Sequence, residues 1–162
     1  MEALENFRAT VGEHLVSLDV DDHGLDLAVT PSGLRIACLA LRDRPELGMT
    51  YPADLCGADT GDRIRVWYRV WNPIRRFTAR VVVETPSSNP RLPSVSDIWP
   101  GFDWYERECY DMFGVYFDGH PRSHDPAAMR ILLPEDWDGH PFRKDYAPVF
   151  TDDPLHGPQR TN

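Results

Sequence analysis

Lysine is almost missing from this sequence: Lys144 stands alone against 16 arginines. Arginine holds planar, multi-point hydrogen bonds and suits buried or interfacial pairing better than lysine, and genome composition accounts for the skew equally well. Cysteine is scarce too. Cys38, Cys56 and Cys109 are odd in number and far apart, which leaves no disulfide framework and no paired-cysteine spacing of a zinc or iron–sulfur motif. Such thiols fit a reducing compartment. Long apolar runs are lacking, so nothing approaches the roughly 20 residues that span a bilayer, and the opening MEALENFRATVGEHL lacks the basic-then-apolar order of a signal peptide. No Gly-x-Gly-x-x-Gly turn and no phosphate loop ending in Lys-Ser or Lys-Thr is present. No Gly-x-Ser-x-Gly elbow is present either. The net charge of −9 opposes nucleic acid, which is bound by neutralising phosphates. A soluble chain in the cytoplasm is expected, one that reaches a membrane only through a partner.

What remains is a globular composition, 41% hydrophobic and 27% charged over 162 residues, enough for one domain with its own core. Leu4, Phe7 and Val11 share a helical face over residues 2–15. Residues 16–20 and 24–30 read as strands about an Asp-Asp-His-Gly turn, and residues 32–42 as a helix with Leu34, Cys38 and Leu41 on one side. A weaker strand covers residues 49–56. The strongest pair follows: Arg63 to Trp71 alternates strictly, Asn72-Pro73 turns the chain, and Phe77 to Glu84 returns, with Val81, Val82 and Val83 predicting a strand buried on both faces. The fold class expected is α+β, a largely antiparallel or mixed sheet with helices on one face, then a loop-rich C-terminal region. Residues 1–85 form the core domain of this reading, 86–146 a second region, and 147–162 an extended tail. Residues 86–100, rich in Pro and Ser, should be irregular. A short helix over 103–113 takes Asp103 as N-cap and Gly114 as its stop. An internal echo, Asp-Gly-His-Pro, occurs at 118–121 and 138–141.

On that helix Glu106 and Glu108 are two residues apart and face different ways, which argues against an acid–base pair. Arg107 and Asp111, four apart, can pair, while Tyr105, Cys109, Met112 and Phe113 make the apolar side. Cys109, His120 and His124 could form a zinc site and so support a stand-alone metal-dependent hydrolase. A fourth ligand is lacking, and Pro121 opposes a helical pair of histidines. A Gly-His-Pro turn more often spends its imidazole on a local carbonyl. On the first hairpin strand Arg65, Trp67, Arg69 and Trp71 share the face opposite Ile64, Val66, Tyr68 and Val70. Alternating Arg and Trp is the composition of an interface. Cross-strand cation–π contacts on a solvated face are the plainer alternative.

Two stretches carry a resemblance: SVSDIWPGFDWYERECYDMFGVYFDGHP and RILLPEDWDGHPFRKDY. Together, from Ser94 to Tyr146, they resemble the C-type subunit of NADH:quinone oxidoreductase, respiratory complex I, the 30-kDa subunit family. The weaker N-terminal half, with Arg63 to Tyr68, is similar as well. Arg122 to Met129 departs from the family as an apparent insertion. The resemblance implies a non-catalytic structural subunit of the hydrophilic arm, on the cytoplasmic side of the cell membrane, packed against the larger D-type subunit that helps form the quinone site. It implies no cofactor in this chain, with flavin, iron–sulfur clusters, NADH and quinone handled by other subunits. Glu106, Arg107, Glu108, Asp111, Gly114 and His120 match the first motif block as docking and folding residues. Arg130, His140, Arg143, Lys144 and Asp145 match the second. Trp67, Trp71, Phe142 and Tyr146 are the expected aromatic anchors, with residues 141–162 laid along the larger subunit. Equivalent subunits of hydrogenase-type or other-donor complexes are the neighbouring alternative.

Overall fold

The computed structural model describes residues 2–147. Helix α1 (Glu2–Val11) buries Phe7 and Val11. It ends four residues earlier than its apolar spacing predicts, because Gly12 turns left-handed at φ 58° and starts a 3-10 turn over Gly12–His14. Strands β1 (Leu15–Val20) and β2 (Gly24–Val29) form a hairpin. Its turn is held by the Asp21 carboxylate, which accepts from the His23 and Gly24 amides. The Thr30 hydroxyl accepts from the Gly33 amide ahead of α2 (Leu34–Asp43). That helix buries Leu34, Cys38 and Leu41 as its spacing requires.

Strands β3 (Tyr51–Asp59), β4 (Arg63–Asn72) and β5 (Phe77–Pro86) complete a five-stranded sheet of order β1-β2-β5-β4-β3. The β2–β5 pair is parallel and the other three are antiparallel. This is the mixed α+β sheet the sequence predicts. Ile64, Val66, Tyr68 and Val70 are fully buried on one face. The expectation of a strand buried on both faces fails at β5: Val81 and Val83 are buried, but Val82 is only half-buried. The helices pack on one face alone, leaving the face that carries Val82 and Trp67 without a covering layer among the described residues.

Residues 86–100 are less irregular than their composition suggests. Strand β6 (Arg91–Pro93) pairs in parallel with β7 (Tyr116–Asp118), and Arg91 forms an ion pair with Asp118 across them. Helix α3 (Phe102–Phe113) packs on β3 and the sheet core. Phe102 meets Tyr68 edge-to-face at 5.4 Å, and Phe113 lies so close to Gly57 that a β-carbon there would sit 2.8 Å from the ring. Asp103 is not the cap. The helix starts one residue earlier, at a buried Phe102, with Gly101 in the cap position. Asp103 falls inside the first turn, where a carboxylate suits the positive end of the helix dipole. Gly114 does stop the helix, in the left-handed conformation at φ 74°. Beyond β7 a single-turn helix α4 (Pro126–Met129), inside the apparent insertion, buries Met129; turns make up the rest to residue 147.

Candidate functional site

The residues of the first motif block meet on α3, and most of them are used internally. Glu106 is fully buried. Its carboxyl group accepts from the Ser94 hydroxyl at 2.6 Å and the Val95 amide at 2.7 Å, which ties α3 to the turn after β6. The Arg35 guanidinium, which could have neutralised it, instead donates to Asp97 and to the Ser94 carbonyl. Burial without a cation pushes the Glu106 acid up to about 8, opposed by those two hydrogen bonds. The Tyr68 hydroxyl, buried in the same core, has no hydrogen-bond partner among the described residues. Glu108 is exposed, so the two glutamates do point apart.

Asp111 does not pair with Arg107. It is fully buried, and its Oδ2 accepts from the amides of Ile131, Leu132 and Leu133 at 2.7–3.1 Å. Its Oδ1 accepts from Arg130 at 3.2 Å. Helical spacing allowed the Arg107 pair, but three clustered loop N–H groups and a second guanidinium compete for the same carboxylate. Arg107 donates to the Arg130 carbonyl at 2.6 Å and lies over the Trp104 ring. Arg130 is itself almost sealed, its side chain 7% exposed, and it also donates to the carbonyls of Trp137 and Gly139.

The two Gly-His-Pro turns act alike. His120 Nε2 donates to the Asp103 carbonyl at 3.3 Å, and its Nδ1 accepts from the Arg122 amide. His140 Nδ1 donates to the Asp111 carbonyl at 3.0 Å. Burial holds both imidazoles below the usual histidine value. The zinc triad is not assembled. Cys109 is in the core, with its thiol pushed up by burial; His120 is committed at both nitrogens, and His124 is exposed. Among the described residues no three His, Cys, Asp or Glu side chains gather as a metal ion requires.

The second block lies along its own domain over residues 141–147. The Phe142 amide donates to the Met112 carbonyl, and its ring meets Phe113 at 5.7 Å while staying 61% exposed. Arg143 pairs with Asp145 at 2.9 Å, and the Lys144 amide reaches Asp59. Thus Arg143 finds its carboxylate within the chain, two residues on. Tyr146 is half-buried against Gly139. The rest of the expected tail lies outside the described residues.

On the uncovered sheet face Trp67 and Trp71 are half-buried. Arg65 lies over Trp67 and, with Arg63, pairs with Glu84, and Trp71 meets Tyr51 edge-to-face. The cross-strand contacts of the plainer alternative are therefore present, on a face that still offers two tryptophans. Several exposed apolar residues are not marked by the sequence patterns, among them Trp104 at 66% and Leu132 at 61% beside the motif blocks. Trp104 could have been found, since it shares with Glu108 a helical row away from the apolar side. For Leu132, inside an apolar run, no such signal exists.

With this geometry in view, the comparisons with known proteins agree. The family model for the respiratory-chain NADH dehydrogenase 30-kDa subunit matches residues 27–151. The NADH-quinone oxidoreductase C-type subunit of Salinispora tropica is 38% identical over 149 residues, covering 90% of this chain and 59% of that protein. The chain thus spans less than two thirds of that relative's length. The equivalent subunit of a Roseiflexus species is 37% identical, over 88% of this chain and 80% of that protein. Among solved structures, a chain of the membrane-bound sulfane sulfur reductase, an archaeal respiratory membrane complex, superposes with a TM-score of 0.72. It is 24% identical, over 90% of this chain and 84% of that one. The trypsin-resistant fragment of Nqo5 gives 0.57 at 26% identity, over 74% of this chain and 96% of the fragment. This chain belongs to the family of the 30-kDa subunit of the respiratory-chain NADH dehydrogenase.

Proposed function

We propose that this chain is the C-type subunit of an NADH-quinone oxidoreductase, a non-catalytic component that packs against the larger D-type subunit at the quinone site, on the cytoplasmic side of the membrane. The observation that carries this is how the motif residues are spent. Glu106, Asp111, His120, Arg130 and His140 all point into the chain's own structure and hold its loops to α3. Acidic and imidazole groups committed in this way bind no substrate. The outward residues include aromatics: Trp104 in the first turn of α3, Phe142 at its other end, and the half-buried Trp67 and Trp71 on the open sheet face. Flavin, clusters, NADH and quinone belong to other subunits in this reading. No helix among the described residues is long and apolar enough to cross a membrane, which fits attachment through partners.

The test is a tagged full-length chain recovered from native membranes, with the co-purifying subunits identified by mass spectrometry and NADH:quinone activity measured. Trp67→Ser and Trp71→Ser should weaken recovery of the complex by at least about tenfold, the scale of an aromatic hot spot, with little change in the chain's own thermal midpoint. Recovery of the chain alone, or variants that assemble like the parent, would count against the reading. A second setting, a related respiratory complex with another electron donor, is suggested by the fold likeness to the sulfane sulfur reductase chain. The identity of the electron-input subunits separates the two.

A further inference from the structure

We propose that the tip of the β4–β5 hairpin is a preformed docking knob that enters an apolar pocket rimmed with carboxylates on another protein of the complex. The tip reads Pro73-Ile74-Arg75-Arg76. Ile74 is 92% exposed, more than any other large hydrophobic residue described. A mobile loop would fold such a side chain away, but this turn is pinned. Asn72, itself 5% exposed, accepts from the amides of Ile74 and Arg75 at 3.0 Å and donates to the Leu47 carbonyl at 2.7 Å. Arg76 holds φ at 53°, the one left-handed non-glycine residue among those described. Such a conformation persists only where the surroundings impose it. The knob is therefore ordered before it meets anything, which lowers the entropy lost on docking.

The charges identify the occupant. Among the described residues, Arg69, Arg75 and Arg76 are the arginines whose guanidinium groups make no hydrogen bond or ion pair. The others are bonded to carboxylates, carbonyls or hydroxyls. Arg75 and Arg76 flank Ile74 at the tip itself and Arg69 lies on β4 three residues before Asn72, in a chain of net charge −9. Beside them Tyr51, 55% exposed, packs edge-to-face on Trp71 at 6.0 Å. An exposed aliphatic plug flanked by the Arg75 and Arg76 guanidinium groups and backed by an exposed aromatic edge is complementary to an apolar pocket with Asp or Glu at its lip. An anionic bilayer fits less well: polybasic membrane sites use about 4–8 cations, and the rest of this acidic chain would be repelled.

The inference rests on the proposal that the chain is part of a larger complex. It is tested by placing the photo-cross-linker p-benzoylphenylalanine at position 74 of the full chain, irradiating the assembled complex in native membranes and mapping the product by mass spectrometry. The expected product joins position 74 to another protein of the complex, at a peptide bearing Asp or Glu. Ile74→Asp and the pair Arg75→Glu with Arg76→Glu should each cut retention in the complex about tenfold, the scale of one hot-spot residue. Arg76→Gly guards against misreading a folding defect. Glycine accepts the left-handed turn, so the chain's thermal midpoint should hold or rise while retention still falls in moderate salt. A label found on lipid, or on this chain's own residues 148–162, overturns the proposal. So does the lack of any adduct together with variants that assemble like the parent. If the parent chain co-purifies with no other protein, the reading as part of a complex falls, and this proposal with it. An intact complex with no cross-link and with variants that assemble like the parent defeats the knob alone.

Discussion

Glu106 should make this protein lose stability as the pH rises from about 6.5 to about 8. Its acid is raised from 4.5 to about 8, first of all by burial. A group whose folded value lies above its unfolded value holds a proton in the folded state that the unfolded chain has already released. Stability therefore falls as pH climbs from 4.5 toward 8 and levels off beyond it. The slope is about 1.4 kcal/mol per pH unit, so the loss between about 6.5 and 8 is about 2 kcal/mol, a large share of a typical domain's 5–15 kcal/mol. Two groups titrate at the lower edge of that window: His120 and His140 are lowered from 6.5, so the unfolded chain still gives up their protons over about the next pH unit, which adds stability there and offsets part of the Glu106 loss. Asp21, Asp43, Asp97 and Asp145 are lowered from 3.8 and act in acid. Cys38 and Cys109 are raised from 9.0 and act in alkali.

The diagnostic variant is Glu106→Gln. Its amide oxygen still accepts from Val95, and its NH2 donates to the Ser94 hydroxyl, copying the protonated acid. Urea unfolding followed by tryptophan fluorescence should find it already more stable than the parent near pH 6.5, with the gap wider by about 2 kcal/mol near pH 8. Glu106→Leu should lack the Glu106 slope as well but lie about 1–3 kcal/mol below Glu106→Gln throughout, because the Val95 amide is left without a partner. A parent whose stability is flat or rising across the window would refute the reasoning. So would an unchanged slope in Glu106→Gln.

Asp111→Ala should cost about 3–5 kcal/mol in urea titration, since it leaves the Arg130 guanidinium buried without its carboxylate and three loop amides without an acceptor. Gly114→Ala should cost about 1 kcal/mol or more by the same assay, because φ is 74° and the new β-carbon would lie 2.6 Å from the His140 ring.

The sheet was legible in the sequence because strict alternation in Arg63 to Trp71 leaves one register that buries Ile64, Val66, Tyr68 and Val70. Its misreading at Val82 comes from the same source: a run of valines looks alike whether one face is covered or two. The α3 boundary was legible at Gly114, where the backbone demands glycine, and not at Asp103, where a capping residue type sits inside the first turn instead of ahead of it. Pairings across loops were not legible. Helical spacing offered Asp111 to Arg107, while the true partners lie about twenty residues on, and nothing local encodes that return. The parallel β6–β7 pair was hidden for the same reason, since strands of three residues carry no period.

The two motif blocks are separated in sequence but complete one another, and the end of α3 shows how. A helix leaves its last four carbonyls without intrahelical donors. In α3 the Tyr110 carbonyl accepts from the Gly114 amide at 2.8 Å, the Asp111 carbonyl from His140 Nδ1 at 3.0 Å and the Met112 carbonyl from the Phe142 amide at 2.9 Å. The second Asp-Gly-His-Pro turn thus finishes the helix begun in the first block, and the first turn clasps its other end through His120 and Asp103. Gly119 and Gly139 take φ of 84° and 79°, so in both turns a left-handed glycine precedes the imidazole that reaches back to the helix. His140→Ala should therefore do more than remove one hydrogen bond. It leaves the Asp111 carbonyl without its imidazole donor, strips the edge contact with Tyr110 at 5.3 Å and frees residues 139–147 from the helix end. The expected cost is about 1–3 kcal/mol, with faster tryptic cleavage after Arg143 or Lys144 than in the parent. His140→Gln, which can donate to the same carbonyl, should recover part of the protection. Cleavage in His140→Ala no faster than in the parent would mean that the segment is held by Phe142 and Lys144 alone, and that the imidazole is not what closes the helix.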